Sequence, residues 1–129
     1  MNYPIASFLT QIKNAYMARK KVVVFPHSKM IEAIGNILVK EKFVKSIKIT
    51  EDGVKKNVEV GLLYHSHEPA LSEVKIVSKP SIHTYAKKDD VRHGINRFKT
   101  NILSTNQGVM TAKDAMKKKI GGEVLCTIS

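Results

Sequence analysis

The side chains best suited to specific chemistry lie in one run, Ser104-Thr105-Asn106-Gln107-Gly108-Val109-Met110-Thr111. The run continues through Lys117-Lys118-Lys119-Ile120-Gly121-Gly122-Glu123 to Cys126. Ser, Thr and Asn are weak nucleophiles and weak metal ligands on their own. They do give and take hydrogen bonds at close range from a fixed backbone. In a chain with 22 Lys and Arg against 11 Asp and Glu, such a cluster at a glycine turn suits a surface laid against a polyanion.

RNA is the polyanion that fits this chemistry. The A-form major groove is too deep and narrow for side chains, whereas the minor groove is shallow and lined with 2′-hydroxyls. Short groups such as Ser104, Thr105 and Asn106 match that surface, and glycines at 108, 121 and 122 would let backbone come close. Glu123 has two readings. Phosphates repel an acid, so at an RNA surface it would accept from a base amino group; otherwise it pairs with a nearby lysine. Lys117-Lys118-Lys119 also has two readings, a solvated charge run that complements a helix end or a phosphate contact by one of the three at most.

The charge is spread evenly, +6 over residues 1–64 and +5 over residues 65–129. Folded surface in both halves therefore carries positive potential, as phosphate contacts need. Only Arg19, Arg92 and Arg97 are arginines. Lysine acts as a point charge rather than a planar fork, so base recognition falls to the short polar groups.

The elements that position these groups can be read in order. Ile5, Phe8, Leu9, Ile12 and Tyr16 fall at helical spacing after Pro4, a residue at home in a first turn. Lys13 and Asn14 lie off that stripe, near a positive helix end at Arg19-Lys20-Lys21; they are a second candidate for RNA contact, against an ordinary solvated face. Val22–Phe25 reads as a strand stopped by Pro26. Ser28 caps a second helix carrying Ile31, Ile34, Ile37 and Leu38. Lys29 then sits in the first turn, where a cation opposes the dipole, so it reads as a phosphate contact. Gly35 inside this helix points to close packing on a neighbour.

From Phe43 the period becomes two, giving a hairpin turned at Glu51-Asp52-Gly53. His65-Ser66-His67-Glu68-Pro69 is a polar break with too few ligands for a zinc site, and the domain boundary is placed there. Val74 and Ile76 form a strand, turned by Ser78-Lys79-Pro80, and Ile82, Thr84 and Tyr85 extend as another. Tyr85-Ala86-Lys87-Lys88 sets an aromatic beside paired cations. It either grips a sugar–phosphate backbone or packs a tyrosine between domains beside a solvated lysine pair. Asp89-Asp90 could start a short helical turn toward Ile95. Asn101–Leu103 leads as a strand into the polar run. Thr111 and Asp114 have the form of a capping box for a helix over about 112–119, held by Ala115, Met116 and Ile120 and ended by Gly121 or Gly122. Val124, Cys126 and Ile128 alternate as a final strand.

The fold class is therefore α+β in two small domains. Residues 1–66 form an α-β-α-β-β unit with two helices on a small sheet. Residues 67–129 are mainly β with one or two short helices. The 43% hydrophobic content suffices for a core. No long apolar run or signal-like start is present, which indicates a soluble, cytoplasmic protein. The single cysteine excludes an internal disulfide framework. No phosphate loop, dinucleotide fingerprint or metal spacing occurs, so no enzyme, cofactor or metal is expected. A general double-stranded RNA-binding domain or a protein adaptor is the alternative, the adaptor disfavoured by 6% aromatic content.

Several of these motifs carry a family likeness. Ser104-Thr105-x-x-Gly108-Val109-Met110-Thr111 with Gly121-Gly122-Glu123-Val124-x-Cys126 resembles the C-terminal signature of small ribosomal subunit protein eight. Pro4-Ile5-Ala6, Leu9-Thr10-x-Ile12-x-Asn14-Ala15 and Pro26-x-Ser28-Lys29 resemble that family's opening helix and next loop. The likeness covers essentially the whole chain. It implies a primary assembly protein, monomeric when free, that binds the central domain of small-subunit ribosomal RNA and supports the platform. Neighbouring small-subunit proteins and, in some bacteria, the protein's own messenger are further implied partners, and no membrane is. Carried over by position, the RNA-binding residues are Ser104, Thr105, Asn106, Gly108, Gly122 and Glu123. The chain departs from the family at Asn106-Gln107, where Ser-Lys is frequent, and at Arg97-Phe98-Lys99, where a Gly-Leu-Gly-type turn is usual.

Overall fold

The computed structural model describes residues 4–77, 85–87 and 99–129. The expectations at Ser78–Thr84, Lys88, Asp89-Asp90, Ile95 and Arg97-Phe98 lie outside them. The chain separates into two compact units, one running to Ser72 and the other from Glu73 to Ser129.

In the first unit, helix α1 (Pro4–Met17) buries Ile5, Phe8, Leu9, Ile12, Ala15 and Tyr16 along one stripe. Helix α2 (Lys29–Lys40) buries Ile31, Ile34, Ile37 and Leu38, and Ser28 caps it by accepting the Ile31 N–H at 3.1 Å. Both apolar faces are needed, because one face of the sheet supplies their partners. Strands β1 (Val22–Pro26), β2 (Ser46–Asp52) and β3 (Lys55–Gly61) form an antiparallel sheet in the order β1-β3-β2. Val23, Phe25, Val58 and Val60 are its buried side chains, and Phe8 meets Phe25 with ring centroids 5.2 Å apart. Gly35 packs closely against a neighbour, as expected. A Cβ there would lie 3.2 Å from Ile47 Cγ2, tighter than ordinary packing. The β2–β3 hairpin turns one step later than predicted, at Gly53-Val54, with Asp52 paired to Lys55. Gly53 supplies the positive φ (63°) at the first central position.

Tyr16 does more than fill a stripe. Its hydroxyl donates to the Phe43 carbonyl at 2.7 Å and accepts the Leu63 N–H at 3.0 Å. Burial is the main reason its pKa is raised, with the Leu63 bond opposing and the nearby Tyr64 adding. The stretch expected to be a polar break is structured too. Strands β4 (Tyr64–His65) and β5 (Glu68–Pro69) pair around Ser66 and His67, both left-handed at φ 50° and 71°. Two successive positive φ values match the twist of a tight hairpin. Arg19 holds this hairpin, donating to the His67 carbonyl and lying 6.0 Å from the Tyr64 ring centroid.

The second unit is built on its last strand. Strands β6 (Val74–Ile76), β7 (Tyr85–Ala86), β8 (Thr100–Thr105), β9 (Gly108–Thr111) and β10 (Gly122–Ile128) form one sheet, ordered β6-β10-β8-β9 with β7 also on β10. A register irregularity between Val124 and Cys126 lets β10 bend along β8. Helix α3 (Ala112–Lys118) is capped by Thr111 Oγ1, which accepts the Asp114 N–H at 3.2 Å. Seven residues cannot hold a helix alone. Ala112 and Ala115 pack with Leu103 and Met110, flanked by Met116, Ile120 and Val124. One expectation fails here. Neither Gly121 nor Gly122 ends the helix; Lys119 takes the left-handed position (φ 56°, ψ 45°).

Candidate nucleic-acid interface

Strands β8 and β9 deliver the polar run as a hairpin. Thr105 pairs with Gly108, leaving Asn106 and Gln107 as the exposed turn. Thr105 Oγ1 donates to the Gly108 carbonyl at 2.8 Å and accepts the Gln107 N–H at 3.1 Å. That hydroxyl is committed to closing the turn, as Thr hydroxyls often are. Gly108 follows with φ +113°, and nothing lies within 4 Å of where a Cβ would stand. Glycine is needed there for conformation, not for space.

Glu123 on β10 pairs with Tyr85 on one side and Ser104 on the other, and Ser104 pairs with Val109. Residues paired directly across a sheet share a face. Tyr85, Glu123, Ser104 and Val109 therefore form one row. Tyr85 is 76% exposed. Ser104 and Glu123 are half-buried. Glu123 is engaged within the protein, whereas Ser104 Oγ and the Asn106 amide have no partner among the described residues.

The double glycine works inside the protein. A Cβ at Gly121 would stand 2.3 Å from the Ala86 carbonyl oxygen, and one at Gly122 would stand 2.4 Å from that of Ser104 and 2.9 Å from Thr105 Cγ2. The start of β10 thus threads between β7 and the end of β8, which is what brings Tyr85 and Ser104 to either side of Glu123. Beside this row lies an open groove of about 430 Å³. It is lined by Tyr85–Lys87, Ser104–Asn106 and Lys119–Gly122. Lys87 is exposed next to Tyr85.

The candidates on the first unit do not gather in the same way. Asn14 lines a depression of about 420 Å³ with Gln11, Ala18 and Val22–Val24. Lys13 lines a different one, about 370 Å³, with Arg19, Glu68 and Ser72. Lys29 is the exposed first residue of α2. What the sequence did not single out within Lys117-Lys118-Lys119 is the left-handed backbone of Lys119. Its signal was Ile120 placed just beyond a short helix, the apolar residue that accompanies a left-handed terminator.

Cys126 is fully buried, and burial pushes its thiol up to about 12. It is a core residue without nucleophilic character at neutral pH.

The fold defines a small α+β protein of antiparallel sheets and short helices, with a polar, glycine-threaded sheet end in its second unit. The model of the ribosomal protein S8 family matches residues 3–129. The chain is 38% identical over 129 residues to the small ribosomal subunit protein uS8 of Cupriavidus metallidurans, covering 100% of this chain and 98% of the relative. It is 41% identical to the protein of that name from Caldanaerobacter subterraneus, covering 99% and 98%, and 40% identical to that of an Anaeromyxobacter species, covering 97% and 96%. The chain belongs to the ribosomal protein S8 family. As a member it is a structural ribosomal protein and not an enzyme.

Proposed function

We propose that this protein binds the central domain of small-subunit ribosomal RNA and supports assembly of the platform there. The carrying observation is the row Tyr85, Glu123 and Ser104 beside the Asn106–Gln107 turn, in a chain with an excess of eleven positive charges. Lysines supply sequence-independent, salt-dependent attraction. Ser104 Oγ and Asn106 offer donors and acceptors to the minor-groove edge and its 2′-hydroxyls, and Tyr85 offers a ring for stacking. Glu123 can accept from a base amino group while keeping its protein contact, since a carboxylate accepts several hydrogen bonds. Thr105 is a positioning residue that shapes the turn. Lys87, Lys88, Lys29, Lys13 and Asn14 complete the proposed contacts, and Gly108 and Gly122 set the backbone path.

The relatives' name, small ribosomal subunit protein, supports placing the chain in that subunit beside other ribosomal proteins; a cytoplasmic ribosome is part of the same proposal. An imitation of the ribosomal site in the protein's own messenger would dock on the same surface, giving repression of its operon.

The test is a titration against transcribed small-subunit RNA fragments over a salt series. Wild type should prefer the central-domain fragment. Asn106→Ala and Glu123→Gln should each lose about tenfold in that preference, in line with about 1–3 kcal/mol per base contact, with the salt slope unchanged. Weak binding that is indifferent to fragment and unaltered in the variants would leave only a sticky basic surface.

A further inference from the structure

All three described helices end in the same way, and none uses glycine to do it. After α1, Arg19 is left-handed (φ 60°), with its N–H bonded to the Tyr16 carbonyl and the Lys20 N–H to that of Ala15. After α2, Lys42 (φ 63°) bonds Val39, and Phe43 bonds Leu38. After α3, Lys119 bonds Met116 at 3.1 Å, and Ile120 bonds Ala115 at 3.1 Å. This paired pattern normally takes glycine at the left-handed residue, because a Cβ is strained there. A cation in its place carries that strain, and what its side chain can reach differs from one helix to the next.

Arg19 has partners inside the protein, the His67 carbonyl and the Tyr64 ring. Lys119 has none among the described residues. Nor is its charge needed by the helix dipole, since Lys117 and Lys118 already occupy the last turn. What distinguishes Lys119 from those two is its place. It is exposed and lines the groove together with Tyr85–Lys87 and Ser104–Asn106, which Lys117 and Lys118 do not.

We propose that Lys119 is a phosphate anchor on the lining of this groove, holding one backbone phosphate so that the neighbouring nucleotide meets the Asn106 turn in register. The inference rests on the RNA-binding reading above. A phosphate contact positions the ligand without carrying sequence information itself. The left-handed turn beyond the helix sets Lys119 on the groove lining, where Lys117 and Lys118 are not.

Lys119→Gly separates strain from function. It should raise the melting temperature by about 2–5 °C while weakening central-domain RNA binding several-fold and lowering the salt slope by about 1. Lys119→Asn, which tolerates the left-handed backbone, should show the same binding loss. Lys117→Gln, an exposed neighbour outside the groove, should leave the slope nearly unchanged. A Lys119→Gly protein that melts higher but keeps wild-type affinity and slope overturns the proposal, as does one that melts no higher. Asn106→Ala, run alongside, keeps the two readings apart. If it loses fragment preference while Lys119→Gly binds normally, only the anchor fails. If wild type itself shows no fragment preference, the parent reading fails and the anchor with it.

Discussion

The backbone of Gly122 runs so close to Ser104 that a Cβ on it would stand 2.4 Å from the Ser104 carbonyl oxygen. The obstacle is main chain and cannot swing aside. Gly122→Ala should therefore push β10 off β8 and cost about 1–3 kcal/mol, the range for overpacking a tight site. Denaturant titration checks the stability, and the RNA titration should show fragment preference falling with it, because Glu123 loses its register against Ser104.

Tyr16 offers a test in the first unit that touches no RNA candidate. Tyr16→Phe keeps the ring but leaves the Phe43 carbonyl and the Leu63 N–H without the hydroxyl they share. An unsatisfied buried group costs about 1–3 kcal/mol. The expected result is a lower denaturation midpoint with an unchanged denaturant slope.

Arg19 and Lys42 share a backbone conformation, so replacing each by glycine isolates the side chain. Lys42→Gly removes strain and should stabilise by about 0.5–1 kcal/mol. Arg19→Gly relieves the same strain but releases the β4–β5 hairpin from the Arg19 guanidinium, and should be neutral or destabilising. Melting curves of the two variants that move upward together would show that the guanidinium holds nothing.

Alkaline stability should report on Cys126. Burial raises its thiol from about 9 to about 12. Above pH 9 the unfolded chain loses the thiol proton while the folded chain keeps it, so the unfolded state binds fewer protons and stability falls with rising pH. The stabilisation is complete below about pH 9 and is lost progressively toward about 12. Cys126→Ala should start lower at pH 7 because of the small cavity, yet decline less between pH 8 and 10.5. Tyr16, also raised by burial, acts in the same direction from about pH 10 in both proteins.

Much of the fold was legible because local signals agreed with tertiary need. The stripe Ile5, Phe8, Leu9, Ile12 and Tyr16, the Ser28 and Thr111 caps, and the alternation in the β2–β3 hairpin each carry their periodicity or chemistry within a few residues. What stayed hidden was decided by partners distant in sequence. Tyr16 reads as apolar until Phe43 and Leu63 are brought to its hydroxyl. His65–Pro69 reads as a break because nothing local announces that Arg19 will hold its turn. The Gly121-Gly122 pair is recognisable as special, but only the path of Ala86 and Ser104 shows that the close approach is strand to strand. The left-handed turn at Lys119 escaped because a charge run suggests solvent and glycine is the expected terminator.

The position of β10 at the centre of the second sheet also bears on synthesis. Strands β6, β7 and β8 all pair with it, and it is translated after each of them. While the nascent chain is still short of Gly122, those strands have no common partner and the Ser104 row does not exist. The first unit holds all its own strands and can form earlier, as N-terminal domains do during synthesis. The proposed RNA surface is thus completed late, when residues 122–128 clear the exit tunnel. A chain that stalls before them would present the first helix pair and a basic surface without the row proposed to discriminate.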